Sequence, residues 1–304
     1  MLSVLLSISC TALAGTVALS GATIHPVDAP VIPKGVVLIE DAHIRSVGAV
    51  GALELPADTT VIDVSGRHIV PGLIDLHSHI GGGRLHESLG VVQPGVSAAD
   101  AIDPSHISIA RARAGGITTV NVMPGSGKLM GGQTAYLSLG AGDVLDDLLL
   151  CRDPEHERWR SAARVDAEHP DEPPARHRLV CGGVKMANGT NPQGSGGDPR
   201  TRMGSAYLQR KALLEGRARA EQFAAVESYA SAGWWHRLWM PAPKVPDPDL
   251  ANDILVEVVT GARIVHFHSH RADDMITAVR LREEVDERLQ LVLHHASELS
   301  LIHI

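Results

Sequence analysis

Two histidines one residue apart close a short apolar run, His68-Ile-Val-Pro-Gly-Leu-Ile-Asp-Leu-His77-Ser-His79. On a strand, residues two apart point to the same face, so His77 and His79 project together from the strand's carboxyl end. The strand rise sets their Cα atoms about 6 to 7 Å apart, close enough for both imidazoles to bind one metal ion. An isolated His-x-His is otherwise an ordinary solvated strand end. Three more residues of ligand type recur in similar settings: Lys185 in Leu-Val-Cys-Gly-Gly-Val-Lys185, His268 in Arg-Ile-Val-His-Phe-His268, and His295 in Leu-Val-Leu-His-His295. Each closes an apolar, strand-like run.

The elements that would bring these residues together can be read in order. Residues 15–67 alternate apolar and polar with turn-rich breaks, the pattern of a small antiparallel sheet. Residues 68–79 form the next strand, and Gly81-Gly-Gly83 suits a flexible loop over a site. Residues 105–114 have helical spacing closed by Gly115-Gly116. Strands are expected at 117–123, 133–139 and 179–187, a long helix from 206 to about 230, and a proline-rich linker over 241–248. The strand at 263–270, the helix opened by Asp273-Asp274 and the strand at 291–295 follow in quick succession. Strand, helix, strand is the pattern of a parallel barrel, whose strand ends converge on one face. Residues more than two hundred positions apart, His77 and His295, would then meet. The fold class expected is α/β, a (β/α)8 TIM-type barrel represented by about six strands.

Composition narrows the function. The chain has 304 residues, 44% of them hydrophobic, enough for one sizeable core or a large domain with a small companion. A net charge of −8 and 3% aromatics argue against nucleic acid as a partner. Gly-Ser-Gly-Lys128 lacks the spacing of a phosphate loop. Residues 1–14 are apolar and end Ala-Leu-Ala before Gly15, like a signal peptide, which would place the protein in the periplasm or outside the cell; the alternative is a first strand of the fold in a cytoplasmic protein. That segment is too short to span a bilayer. Cys10, Cys151 and Cys181 show no paired spacing, so no disulfide framework is expected. Residues 152–178 are charged and proline-rich, which suits a solvated insertion with His156, His169 and His177 at its surface.

Pro-Gly-Leu-Ile-Asp-Leu-His-Ser-His resembles the metal-binding motif of the amidohydrolase superfamily, and residues 21–298 follow the same order of strand-end ligands. Lys-Met-Ala-Asn-Gly-Thr-Asn-Pro, Thr-Arg-Met-Gly and His-Ser-His-Arg-Ala-Asp-Asp are similar to segments of its imidazolonepropionase/prolidase-like branch. The resemblance implies a metal-dependent hydrolase of amide or cyclic-amide bonds that acts on a small molecule. It implies His77, His79, His268 and His295 as ligands to one or two divalent ions, zinc above all, with Lys185 a carboxylated bridge. It also implies His270 and Arg202 as substrate contacts, residues 15–67 as half of a small β-sandwich, and 68–304 as the barrel part. Thr190 stands where the branch often has Glu, and Ala42 where a hairpin glycine is usual. The family's general base, an aspartate at the end of the eighth strand, is matched by no residue here, and Leu299–Ile304 depart from the family pattern. A fragment lacking that base is therefore expected. The alternatives are a catalytically empty metal-binding protein or a prolidase-like dipeptidase.

Overall fold

The computed structural model describes residues 15–303 except 141, 154, 156 and 194–198. The apolar leader and His156 lie outside the described residues. The chain divides after Gly72 into two units.

The first unit is a five-stranded sheet: β1 (Thr16–Ile24), β2 (Ile32–Glu40), β3 (His43–Ala49), β4 (Thr60–Asp63) and β5 (His68–Ile69), with the order β3-β2-β1-β4 and β5 also on β1. β1, β2 and β3 are antiparallel neighbours, but β4 and β5 run parallel to β1, so the sheet is mixed rather than antiparallel. Alternation sets which face a strand buries and carries no information about direction, which is why the pattern misled here. Ala18, Val36 and Leu38 form its small core, with Leu53 packed against them. Between β2 and β3, Asp41 and Ala42 both take positive φ, 47° and 62°. That is the two-residue turn matched to strand twist, made here without glycine.

The second unit opens with β6 (Leu73–Ser78), α1 (Ile107–Ala114) and β7 (Ile117–Val122), then β8 (Met130–Gln133) and β9 (Ala135–Ser138). The strand expected over 133–139 is β9; β8, which was not expected, precedes it across Thr134 and lies in the other sheet. β9 pairs antiparallel with β7, which is parallel to β6; β8 pairs antiparallel with β12 (Val184–Ala187). Beyond it lie β13 (Val265–Ser269) and β14 (Leu291–His295), parallel to β12. The two sheets, β6-β7-β9 and β8-β12-β13-β14, are not closed into a barrel. Five strands run in parallel sets and the 130–138 segment opposes both.

Gly182 makes the break at Thr134 feasible. A Cβ there would sit 1.7 Å from the Thr134 carbonyl oxygen, so only glycine allows this approach. Next to it, the Gly183 carbonyl accepts from the Thr134 amide at 2.9 Å and the Gly183 amide donates to the Thr134 hydroxyl oxygen at 2.8 Å. Gly83 is also packed, its Cβ position 2.0 Å from the Ala101 carbonyl oxygen, so this part of the triglycine is a tight contact rather than a free lid.

The insertion is folded. It contains α2 (Leu145–Leu148) at its edge, the hairpin β10 (Leu150–Asp153) and β11 (Arg158–Ser161), α3 (Ala162–Glu168) and α4 (Ala175–Arg178). Arg160 is buried and bonds Asp153 and Glu168. Ala162, Val165 and Ala175 join the core built on β7 and β9. His177 is exposed and His169 half-buried. Cys151 and Cys181 form a disulfide, contrary to the expectation from spacing. Backbone bonds from Arg152 to Val180 and from Tyr136 to Cys181 lay the two cysteine segments side by side, an adjacency that linear spacing cannot show.

The fourth sheet-forming run is shorter than expected, leaving Lys185 second in β12 rather than at its end. After it come α5 (Thr190–Gln193), α6 (Arg202–Ser231), α7 (Trp234–Trp239), α8 (Leu250–Val259) and, between β13 and β14, α9 (Ala272–Val285). Thr201 caps α6 by accepting from the Gly204 amide, so the helix starts four residues before the expected position. α6, α8 and α9 cover one side of β12–β14: Leu213, Leu255, Val258, Ala278 and Leu281 pack against Val184, Met186, Val265 and Phe267.

Candidate metal centre

β6 delivers His77 and, one residue past its end, His79. The His77 amide donates to the Asp75 carboxylate at 3.0 Å, which fixes the strand's last turn. The His79 Nδ1–H donates to the Met123 carbonyl at 2.8 Å, so its Nε2 keeps a free lone pair. The two rings sit 5.2 Å apart, centroid to centroid. β12 delivers Lys185, which is fully buried, with Nζ 3.2 Å from His77 Nε2 and 3.0 Å from Met123 Sδ. No carboxylate holds its charge in these contacts, and burial pushes its amine down to about 7.

β13 delivers His266 and His268 on one face, with His270 just beyond, and β14 delivers His294 and His295. The rings of His268, His270 and His295 lie 4.3 to 4.8 Å apart. One nitrogen of each lies within 4.8 Å of the other two, the spacing of ligands around a single ion. The His295 ring is also 4.7 Å from that of His77. The structure therefore brings together His77, His79, Lys185, His268, His270 and His295. It places Arg202 elsewhere, bonded to Asp273 and Asp274 at 2.7 Å each across the first turn of α9. Thr190 is exposed at the start of α5.

His294 is the residue that sequence reasoning missed. Alternation on a strand turns His294 away from His295. Here His295 has φ 67° and Ala296 φ 44°, a left-handed pair that breaks the alternation at the end of β14. His294 is buried and bonds His77 Nδ1 at 3.1 Å while His295 still reaches His77 and His268. His266, two residues before His268 on the same strand, bonds His294 at 2.9 Å and the Tyr136 hydroxyl at 2.8 Å. The signal for both was the density of histidines in His266-Phe-His-Ser-His270 and His294-His295.

Burial depresses the imidazoles: His77, His266 and His268 are pushed down to about 3 and His294 to about 4, with neighbouring Lys185 and His rings adding to the effect. His295 is lowered by burial as well. Neutral imidazole is the ligand form. His268 Nδ1 is buried with no hydrogen-bond partner, an orphan polar atom on one ring of the trio. The donor set of neutral imidazoles beside a near-neutral lysine fits a divalent cation.

A cluster of imidazoles at strand ends in an α/β unit defines a candidate metal centre. Comparison with known proteins gives the chain a family. No protein-family profile matches the chain. The amidohydrolase tasK of Hapsidospora irregularis is 26% identical over 285 residues, 88% of this chain and 26% of that protein. A dihydroorotase of Bacillus caldolyticus is 43% identical over 70 residues, 23% of this chain and 13% of that protein. The crystal structure of an amidohydrolase from Thermotoga maritima matches with a TM-score of 0.71 and 25% identity, covering 94% of this chain and 66% of that one. The chain belongs to the amidohydrolase superfamily. It spans about a quarter of the tasK protein and 66% of the Thermotoga chain.

Proposed function

We propose that this chain is the metal-holding part of a hydrolase that cleaves amide or cyclic-amide carbon–nitrogen bonds in a small molecule, on sheets that belong to a (β/α)8 barrel. The observation that carries the reading is the convergence of His268, His270 and His295, one nitrogen of each within 4.8 Å of the other two. A divalent metal there, zinc by its donor set, would acidify a water and polarise the amide carbonyl. His268, His270 and His295 would hold one ion. His77, His79 and Lys185 would hold a second or complete the first. A buried lysine depressed to about 7 has a large neutral fraction at physiological pH, the form that adds carbon dioxide to give a carbamate and a proton. That carbamate would bridge. On this reading His270 is a ligand rather than a substrate contact, and Arg202 braces α9.

The Cys151–Cys181 disulfide supports an oxidising compartment, periplasmic or extracellular. Among the described residues no helix is long and apolar enough to cross a membrane. The test is elemental analysis of the full chain beside a His268→Ala/His295→Ala variant. Stoichiometric zinc or another divalent metal in the parent and its loss in the variant are expected, with hydrolysis of one member of a dipeptide and cyclic-amide panel. Equal metal content in both proteins would overturn the assignment.

A further inference from the structure

A continuous hydrogen-bonded chain leaves the site through β14 and β13. It runs from His77 Nδ1 to His294 Nδ1 at 3.1 Å, from His294 Nε2 to His266 Nδ1 at 2.9 Å, and from His266 Nε2 to Tyr136 Oη at 2.8 Å. We propose that Tyr136, His266 and His294 are positioning residues that fix which ring nitrogen of His77 carries the proton, and so whether His77 presents a lone pair to a metal ion. The consequence for metal rests on the proposed function; the statement about the proton does not.

The argument is one of counting. A neutral imidazole has one N–H and one acceptor nitrogen, so three linked rings have two self-consistent arrangements. In one, His77 Nδ1–H donates to His294, His294 Nε2–H to His266, and His266 Nε2–H to the Tyr136 oxygen. His77 Nε2 then carries a lone pair. In the other, every bond reverses, Tyr136 donates, and the proton ends on His77 Nε2. Lys185 Nζ, 3.2 Å from His77 Nε2, donates to that nitrogen only in the first arrangement. A metal ion at the same nitrogen selects it too. His266 and His294 are buried and Tyr136 is half-buried, so these links are shielded from water.

The far end of the chain is held in place. The Trp159 ring, on β11 of the insertion, packs edge-on against Tyr136 with centroids 5.1 Å apart. The insertion thus stands behind a ligand that it does not touch. In the metal-competent arrangement Tyr136 is the only acceptor for His266 Nε2–H that the described residues provide. Tyr136→Phe leaves that N–H unsatisfied, and the cost falls on the arrangement that exposes the His77 lone pair.

The test is long-range proton–nitrogen correlation on the full chain, metal-free, with 15N-labelled histidine. The expected wild-type spectrum shows His77 protonated at Nδ1 and His294 and His266 protonated at Nε2. Tyr136→Phe should mix the His77 forms and weaken zinc affinity, by chelator competition, about ten- to hundredfold. Its metal-free unfolding midpoint should stay near wild type. Wild-type His77 protonated at Nε2, or His77 nitrogen shifts unmoved in Tyr136→Phe, would overturn the proposal. Should the variant not fold, the wild-type spectrum alone decides. A wild-type chain that takes up no zinc would sink the proposed function instead, and the ring spectra would still judge the brace.

Discussion

His77, His266 and His268 are depressed to about 3 and His294 to about 4, against an ordinary value of 6.5, so the native chain resists protons that the unfolded chain accepts. The sign follows from linkage: the unfolded state binds more protons below 6.5, and stability falls as pH falls. The contribution is whole above pH 6.5 and is lost progressively towards pH 3. Urea unfolding of the metal-free chain at pH 7.5, 5.5 and 4.5 should show a midpoint that drops at each step; a flat profile would mean that the rings are solvated. Lys185 offers a test with two signs. Lys185→Met removes a buried amine and should stabilise the metal-free chain by about 1–3 kcal/mol while lowering bound metal. Loss of both stability and metal would instead point to a packing role. Much at this scale was legible in the sequence, since His77, His79, His268 and His295 close apolar runs. His294 was not. It pairs in register with His268 and shares its face, and it is His295 that a positive φ turns back to the site, a backbone state that no side-chain pattern announces.

Among elements, the strand broken at Thr134 does what no single run of residues reveals. β8 and β9 oppose both parallel sets, and the continuous chain through Thr134 links the sheet of His77 to the sheet of Lys185, His268 and His295. The run at 133–139 located β9 and missed β8, and patterning could not give the direction of either, because a side chain's face is the same whichever way its neighbour runs. The parallel β13–α9–β14 unit was legible because Met275, Ala278, Val279, Val285 and Leu289 recur at roughly helical spacing between two apolar runs, and all but Val279 are buried. Gly182 is where the joint can be tested. Gly182→Ala should cost about 2–3 kcal/mol or more, since the added methyl meets a backbone oxygen that cannot rotate away. Circular dichroism melting would read it, and an unchanged midpoint would show that the joint is looser than described. Ala42 gives the opposite sign. At φ 62° it carries the left-handed penalty, so Ala42→Gly should raise stability by about 1 kcal/mol.

Across the whole molecule, the insertion changes meaning between sequence and structure. Its charge and prolines describe a solvated excursion, and many of its side chains are indeed exposed. Arg160, however, is buried with Asp153, and Val165 and Ala175 enter the core beneath β7 and β9. Burial of a paired arginine contributes little net stability, because desolvation offsets the attraction. The covalent link is the stronger constraint. Cys151 and Cys181 are 30 residues apart and join the two ends of the insertion, so closing that loop in the unfolded chain is worth about 3–4 kcal/mol by chain entropy. The same bridge holds β10 beside Tyr136, whose backbone bonds Cys181 and whose hydroxyl meets His266. Reduction should therefore act in two places. In hydrogen exchange under mild reductant, amides over 150–181 should lose protection first, followed by a drop in zinc affinity as Tyr136 loosens, while α8 and α9 stay protected. A Cys151→Ser/Cys181→Ser variant should reproduce both effects without reductant. If reduction opened the insertion yet left zinc affinity intact, the insertion would be a stabilising cover with no hold on the site.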